Sequence, residues 1–201
     1  MSFRRLIPIL LWICLIPTLL AAQAAPEFES IGPIPADHSL DQVQMEEFVN
    51  FTCPHCNNFR LASKSLREKY GRRLRSVLLP VAFTGQPDTP LRLYFIAERA
   101  GSGKQMEAMI FDAAFRYGVD VYDSKIVSYL ARSAGLAAEY EKEANAAWVT
   151  AKVQAARARA DQIGLEATPT IVLNGALRFV PRGGMDAFVA NLDRTLARLL
   201  K

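Results

Sequence analysis

Two cysteines separated by two residues, Cys53 and Cys56, are the feature that most constrains what this chain can fold into. They follow a short apolar run, residues 48–52, and precede a stretch with helical periodicity that ends near Tyr70. A disulfide between them would close a very small loop, so it would restrict the unfolded chain very little. The pair is therefore badly placed for stability and well placed for thiol–disulfide exchange at a strand-to-helix junction.

The first 24 residues have the features of a secretory signal. Arg4 and Arg5 form a basic N-terminal region, residues 6–20 are apolar, and Ala22-Gln23-Ala24 fits the small-x-small rule. The sequence therefore predicts cleavage after Ala24. A retained membrane anchor is the alternative, but a span needs about 20 apolar residues, and two prolines interrupt this shorter run.

Export would leave a single cysteine pair, because the third cysteine, Cys14, lies in the signal. Disulfides persist outside the cytoplasm. The remaining chain, about 177 residues, has the length of one domain, and 51% of the sequence is hydrophobic, enough for a sizeable core. The net charge of +4 falls to +2 without Arg4 and Arg5. That charge is too small to indicate nucleic-acid binding.

The hydrophobic pattern predicts strands near both ends of the exported chain. Strands are expected near 28–31, at 44–52 and at 74–82, with a helix over 54–70 between the second and the third. Pro80 cannot donate to a ladder, so the third strand should end there or lie at an edge of the sheet. Asn174-Gly175 between the apolar runs 170–173 and 176–180 predicts a hairpin with a type I′ turn.

Helical segments fill the middle and the end of the chain. Helices are expected at 91–100, 104–117, from Asp123 or Ser124 to 134, over 137–163 as one kinked helix or two, and at 186–200. The resulting order matches an α/β thioredoxin fold with an inserted all-helical domain. The predicted limits are 1–24 for the signal, 25–83 and 164–201 for the two halves of the thioredoxin fold, and 84–163 for the insert.

Several motifs resemble the DsbA family of secreted thiol:disulfide oxidoreductases. The tetrapeptide Cys53-Pro54-His55-Cys56 is the most specific of them. Glu47 stands six residues before Cys53, where the family carries a buried acid, and Thr168-Pro169 precedes the hairpin, where the family has a cis-proline facing the cysteines. The segments 146–148, 174–175 and 184–189 are also similar to family segments.

The position of Cys53 before a helix predicts a nucleophilic thiolate. Free N–H groups of the first turn and the helix dipole both favour a negative charge there. Pro54 fits the first helical position because it needs no N–H partner, and a cationic His55 would stabilise the thiolate further. A strongly lowered pKa of Cys53 stabilises the reduced protein and makes the disulfide oxidising. Cys56 is then the more buried, resolving cysteine.

Glu47 shares its strand parity with apolar neighbours, so its carboxyl should lie on an apolar face, where it is costly unless paired or protonated. The functional prediction is a raised pKa and proton transfer to or from Cys56; the alternative is a carboxylate solvated at a strand edge, like Glu46. The resemblance implies that the Thr168–Pro169 bond is cis; an ordinary trans turn before the strand is the alternative, because most X–Pro bonds are trans. The resemblance implies that Thr168 contacts substrate and tunes the redox pair.

The sequence thus predicts a periplasmic thiol oxidase that gives its disulfide to reduced, unfolded exported proteins. The pair needs no cofactor, and a membrane-embedded, DsbB-like partner should reoxidise it. A monomer is expected, because the arm before Met45 is too short for an isomerase's dimerisation domain. A threonine at position 168 also resembles the residue that disulfide reductases and isomerases carry there, so either of these activities is an alternative. A metal-binding or peptide-binding module with the same fold is a further alternative. Zinc binding is disfavoured because only His38 and His55 could join the cysteines, whereas zinc takes four ligands.

Overall fold

A computed structural model describes residues 28–33 and 41–200. The predicted signal, its cleavage site, Cys14 and His38 lie outside the described residues. The strands are β1 (Glu29–Ser30), β2 (Val43–Val49), β3 (Leu74–Pro80), β4 (Thr170–Leu173) and β5 (Leu177–Phe179). The helices are α1 (Pro54–Ala62), α2 (Lys64–Tyr70), α3 (Thr89–Arg99), α4 (Gly103–Phe115), α5 (Ser124–Ser133), α6 (Ala137–Glu143), α7 (Ala147–Gln162) and α8 (Met185–Leu199).

The strands form one mixed sheet in the order β1-β5-β4-β2-β3. Strand β2 lies inside the sheet, parallel to β3 on one side and antiparallel to β4 on the other. Strand β3 is at the edge and Pro80 is its last residue, as its missing N–H group predicts. Helices α3 to α7 come between the two halves of the sheet along the chain. The predicted thioredoxin fold with an inserted helical domain is confirmed, while the predicted domain limits stay a prediction.

Two predicted helices are interrupted. The helix expected over 54–70 breaks at Ser63, whose hydroxyl donates to the carbonyl oxygen of Phe59 at 2.6 Å and accepts from the Arg67 guanidinium at 2.8 Å. A serine hydroxyl that bonds back to the carbonyl four residues earlier often bends a helix. The stretch 137–163 forms two helices, because Ala146 adopts an extended backbone conformation before α7.

The hairpin between β4 and β5 forms, but three residues, 174–176, separate the paired residues Leu173 and Leu177, whereas the sequence predicts a two-residue loop. Asn174 and Gly175 both have positive φ, 48° and 71°, as a type I′ turn requires. The N–H of Gln44 in β2 also donates to the Asn174 side chain at 2.8 Å, so the turn is anchored to the central strand. This hairpin places the start of β4, and with it Thr168 and Pro169, at the end of the sheet where β2 leads into α1.

The apolar core lies on both faces of the sheet and extends into the insert. On one face, α1 and α8 pack together, and the rings of Phe59 and Phe188 meet at 5.5 Å. The core of the insert receives Phe51 from the β2–α1 junction, whose ring lies 5.3 Å from that of Phe111 in α4. Cys56 belongs to this same cluster. The second cysteine is therefore buried by the inserted helices. Within the described residues, no helix is long and apolar enough to cross a bilayer.

Candidate active site

Cys53 is the residue that caps the N-terminus of α1. Its backbone is extended, with φ −85° and ψ 117°, and Pro54 takes the first helical position, as the sequence predicts. The structure shows both cysteines as free thiols. Cys53 is partly exposed, whereas the side chain of Cys56, one turn into the helix, is completely buried. An incoming thiol can therefore reach the first sulfur and not the second.

The surroundings of Cys53 stabilise its thiolate. They lower the pKa of Cys53 to about 5; the largest contribution is the hydrogen bond from the Cys56 thiol. The Thr168 side chain and the backbone amides of Cys56 and His55 lower it further, and partial burial opposes them. The lowered pKa that the helix position predicts is confirmed, although the strongest contribution comes from the partner cysteine.

Cys56 has the opposite character. Burial raises the pKa of Cys56 well beyond the ordinary thiol range, and the neighbouring Cys53 raises it further. Cys56 is thus protonated whenever Cys53 is a thiolate at neutral pH. Within the pair, Cys53 is therefore the better leaving group, and Cys56 is the thiol that carries the proton.

Thr168 and Pro169 lie directly against the cysteines. The peptide bond between them is cis, and the Cys53 thiol donates to the backbone carbonyl oxygen of Thr168 at 3.2 Å. The Thr168 side chain also lowers the pKa of both cysteines. Residues separated by more than a hundred positions in sequence are thus brought together at one site.

His55 and Pro54 both lie on the surface of the site. The contribution of His55 to the low pKa of Cys53 comes from its backbone amide. An effect of a cationic imidazole on the thiolate, predicted from the sequence, stays a prediction.

Glu47 is buried, with 2% of its surface exposed, and its carboxylate accepts from the Arg67 guanidinium at 2.5 Å. Glu46 is also buried and pairs with Arg159 at 2.7 Å. The alternative that both carboxylates are solvated at a strand edge is therefore wrong, because β2 lies inside the sheet. The interaction that the structure shows for Glu47 is with Arg67 in α2, and its predicted proton transfer to Cys56 stays a prediction.

A second carboxyl near Glu47 was not singled out by the sequence. Burial raises the pKa of Glu107, on α4, to about 7, and the negative charge of Glu47 raises it further, while Arg67, Arg60 and Lys104 oppose the shift. Its position in the middle of an amphipathic helix carries no sequence signal, because the charge that faces it belongs to a different part of the fold.

Asn50, three residues before Cys53, is a further site residue that was not predicted from the sequence. Its side chain is buried and hydrogen-bonds to residues of three segments: the turn before Cys53, the loop after β3 and the loop before α5. An asparagine at the end of a strand, two residues before a threonine, is a typical Asx-turn signal. The described residues contain no cluster of three or more histidine, cysteine, aspartate or glutamate side chains that could hold a metal ion.

Comparison with known proteins agrees with this geometry. A family model described as thioredoxin matches residues 40–185, well over half of the chain. The chain belongs to the thioredoxin family. Within that family it is DsbA-like: it is 26% identical over 172 residues to the thiol:disulfide interchange protein DsbA of Haemophilus influenzae, covering 83% of each chain.

Solved structures of DsbA proteins share the fold of this DsbA-like chain. The oxidoreductase DsbA of Xylella fastidiosa is 25% identical and superposes with a TM-score of 0.71, over 79% of this chain and 86% of its own. DsbA of Pseudomonas aeruginosa superposes with the same TM-score at 20% identity, over 86% of this chain and 91% of its own. The fold of this DsbA-like protein is thus that of a thiol:disulfide oxidoreductase.

Proposed function

We propose that this protein is a periplasmic thiol oxidase that transfers the disulfide of Cys53 and Cys56 to reduced, unfolded exported proteins. The observation that carries the proposal is the asymmetry of the pair: the environment lowers the pKa of Cys53 to about 5, whereas burial raises that of Cys56. The oxidised protein has no thiolate, so the stabilised Cys53 anion favours the reduced form. Such a disulfide is readily given away.

The exchange balances within the pair and its substrate. A substrate thiolate attacks the sulfur of Cys53, the Cys53–Cys56 bond breaks, and Cys56 leaves and takes up a proton. A second substrate thiolate then attacks the substrate sulfur of the mixed disulfide, and Cys53 leaves as a thiolate. The two electrons that the substrate thiols lose stay on the reduced Cys53–Cys56 pair; of the two substrate protons, one is taken up by Cys56 and the other goes to the solvent. A low leaving-group pKa speeds the last step, which suits Cys53.

The site supports an extended substrate beside Cys53. Thr168 precedes the cis Pro169 and lies in hydrogen-bond contact with Cys53. A backbone segment exposed at the end of a strand can pair with an added substrate strand, so main-chain hydrogen bonds would hold substrates of many sequences. This mode of binding suits an enzyme whose clients are unfolded.

The basic and apolar N-terminal segment with its small-x-small site supports export to the periplasm. One turnover consumes the disulfide, so continued oxidation requires a reoxidant. A membrane-embedded, DsbB-like partner is the proposed source of oxidising equivalents. We propose a monomer that acts on one substrate thiol pair at a time.

The reduction potential of the Cys53–Cys56 pair, measured by equilibration with glutathione, tests the proposal. We expect a value near that of DsbA proteins, about −120 mV, and rapid oxidation of a reduced, unfolded protein. A potential near about −230 mV would instead indicate a reductase. Rescue of a scrambled-disulfide protein without net oxidation would indicate an isomerase. A Cys56→Ala variant should accumulate mixed disulfides with substrate through Cys53.

The proposed role of Glu47 has a separate test. Glu47→Gln keeps the size of the side chain and removes the charge that can exchange a proton with Cys56. We expect slower exchange and an altered pH dependence of the rate. Glu46→Gln is the matched control, because Glu46 is the adjacent residue, is also buried and also pairs with an arginine, Arg159. Equal pH profiles for the wild type and Glu47→Gln would rule out proton transfer by Glu47.

A further inference from the structure

Asn50 lies at the end of β2, where the chain turns towards the cysteines, and only 2% of its surface is exposed. Its backbone carbonyl oxygen accepts from the N–H of Cys53 at 3.0 Å. Its side-chain oxygen accepts from both the backbone N–H of Thr52, at 3.0 Å, and the Thr52 hydroxyl, at 2.8 Å. One residue thus closes the turn from which Cys53 leaves the strand.

The amide nitrogen of Asn50 faces away from this turn, towards the loop that follows β3. It donates to the carbonyl oxygen of Val81 at 3.0 Å and to the side-chain oxygen of Gln86 at 2.7 Å. The same Gln86 oxygen accepts from the N–H of Phe83 at 2.8 Å. Asn50 therefore uses both ends of its amide, one on the cysteine turn and the other on the loop of residues 81–88.

The third segment in this network comes from the inserted domain. The hydroxyl of Tyr122, just before α5, lies 3.3 Å from the Thr52 hydroxyl and 3.3 Å from the amide nitrogen of Asn50. The network is centred on the buried Asn50, and the other side chains that join it there are partly buried. Such a network, with its members hydrogen-bonded, favours one arrangement of the groups that it connects. The orientation of the cysteine turn is thus fixed jointly by the sheet and by the insert.

We propose that Asn50 is a positioning residue for thiol–disulfide exchange, which holds the Cys53 sulfur against the first-turn N–H groups of α1. The proposal deepens the proposed function, since it names a residue that prepares the same cysteine pair. The backbone amides of His55 and Cys56 favour the charge of the Cys53 sulfur, and the backbone position from which that side chain starts is set by the turn that Asn50 closes. Loosening the turn would let the sulfur move away from the N–H groups that favour its charge.

The surroundings of the second cysteine support the same assignment. Burial raises the pKa of Cys56, and a backbone hydrogen bond with Asn50 acts in the opposite direction. The backbone of Asn50 therefore interacts with both cysteines, and its side chain holds that backbone in place through Thr52, Val81 and Gln86. Removal of the side chain should let this backbone move relative to both sulfurs without removing any group that reacts.

The thiolate absorbance of the reduced protein, followed against pH, tests this proposal. We expect Asn50→Ala to raise the midpoint of Cys53 by about 1 unit and to slow the alkylation of Cys53 at pH 6. Asn57→Ala, the same substitution inside α1, is the matched control, because the Asn57 side chain accepts from Arg60 and not from the cysteine turn. The Asn57 variant should titrate like the wild type.

Two milder variants separate positioning from general destabilisation. Gln86→Leu removes the acceptor on the loop side, and Tyr122→Phe removes the hydroxyl on the insert side. Each should raise the midpoint of the Cys53 titration by less than Asn50→Ala does. An unchanged midpoint in a folded Asn50→Ala variant would overturn the proposal. If that variant does not fold, the other two decide: a raised midpoint in either supports the proposal, and unchanged midpoints in both overturn it.

These titrations do not depend on the direction of the reaction. The proposed oxidase activity is wrong if the wild-type reduction potential is that of a reductase. The positioning role is wrong only if the titration midpoint of Cys53 is the same with and without the Asn50 side chain. The two failures are therefore distinguishable within the same set of proteins.

Discussion

The sulfur of Cys53 lies 3.2 Å from the backbone carbonyl oxygen of Thr168, and the Thr168 side chain lowers the pKa of that cysteine. We expect Thr168→Val, which removes only the hydroxyl, to raise the pKa of Cys53 by about 1 unit. Because a tenfold change in a two-electron equilibrium is about 30 mV, the reduction potential should fall by about that amount. Glutathione equilibration and thiolate absorbance measure the two quantities independently.

The same substitution two residues along the chain is the control. The Thr170 hydroxyl donates to the carbonyl oxygen of Ala167 at 2.8 Å and is not one of the groups that shift the pKa of the cysteines. Thr170→Val should leave the potential unchanged. Equal shifts in both variants would mean that movement of the loop, and not the Thr168 hydroxyl, tunes the pair.

The pH dependence of the reduction potential should report the asymmetry of the two thiols. Between pH 6 and pH 9, Cys53 is a thiolate and Cys56 a thiol in the reduced protein, since their pKa values lie on opposite sides of this range. Reduction then takes up two electrons and one proton, so the potential should fall by about 30 mV per pH unit. Below about pH 5 Cys53 is protonated too, and the slope should double to about 59 mV per pH unit.

A break in this slope near pH 5 would confirm the low pKa of Cys53 without any mutation. A slope of about 59 mV maintained up to pH 8 would contradict it, because both thiols would then take up protons on reduction. Titration of the thiolate absorbance in the reduced protein provides an independent value for the same midpoint.

Local sequence signals predicted the elements that carry the cysteines. The proline after Cys53 and the Asn174-Gly175 turn each act through the conformation of a few neighbouring residues, and the structure confirms both. The strand predicted over 44–52 forms but ends at Val49, because Asn50 and Thr52 make a turn before Cys53. The break at Ser63 was missed because the apolar pattern of residues 54–70 does not show that the Ser63 hydroxyl bonds back to the carbonyl oxygen of Phe59 and accepts from Arg67.

The parts of the site that could not be predicted depend on partners distant in sequence. Glu46 is buried because β2 has a strand on each side and because Arg159 reaches it from a helix 113 residues later. Asn50 acquires its role only when the loop of residues 81–88 and Tyr122 meet beside it. A pattern of apolar positions shows which face of a strand is covered, but not which charged or polar group covers it.

The raised pKa of Glu107 predicts that its contribution to the free energy of unfolding decreases as the pH rises. Burial, followed by the charge of Glu47, raises its pKa in the folded protein to about 7, above the ordinary value of 4.5. A group with a raised folded pKa stabilises the protein fully below its unfolded pKa, and this contribution is lost as the pH rises through the folded pKa. Stability due to Glu107 should therefore decline between about pH 4.5 and pH 7.

Replacement of Glu107 by glutamine tests this effect. At pH 8 Glu107→Gln should increase the free energy of unfolding by about 1–2 kcal/mol, and the gain should disappear at pH 4.5. Glu141→Gln, at an exposed position on α6, is the matched control and should have little effect at either pH. Urea unfolding of the oxidised protein at the two pH values measures the difference. A loss of stability at pH 8 would show that the ionised carboxylate is favourably paired.

The ion pair between Glu46 and Arg159 connects the central strand β2 to helix α7, the last helix before the second half of the sheet. The guanidinium contacts both carboxylate oxygens, at 2.7 Å and 3.1 Å, and Glu46 is 8% exposed. Arg159→Met leaves this carboxylate buried without its partner, so we expect a loss of about 2–3 kcal/mol in the free energy of unfolding at pH 7. Arg157→Met, at an exposed position on the same helix, is the control and should cost less than about 0.5 kcal/mol.

The double variant that combines Glu46→Gln with Arg159→Met decides how this loss arises. Most of the cost of breaking a buried ion pair comes from the charge that remains, so neutralising Glu46 should restore part of the stability lost in Arg159→Met. Urea unfolding of the wild type, both single variants and the double variant gives the coupling energy directly. Additive losses in the double variant would show that Glu46 and Arg159 stabilise the fold independently. In that case packing of the arginine stem against β2, and not the charge pair, would hold α7 to the sheet.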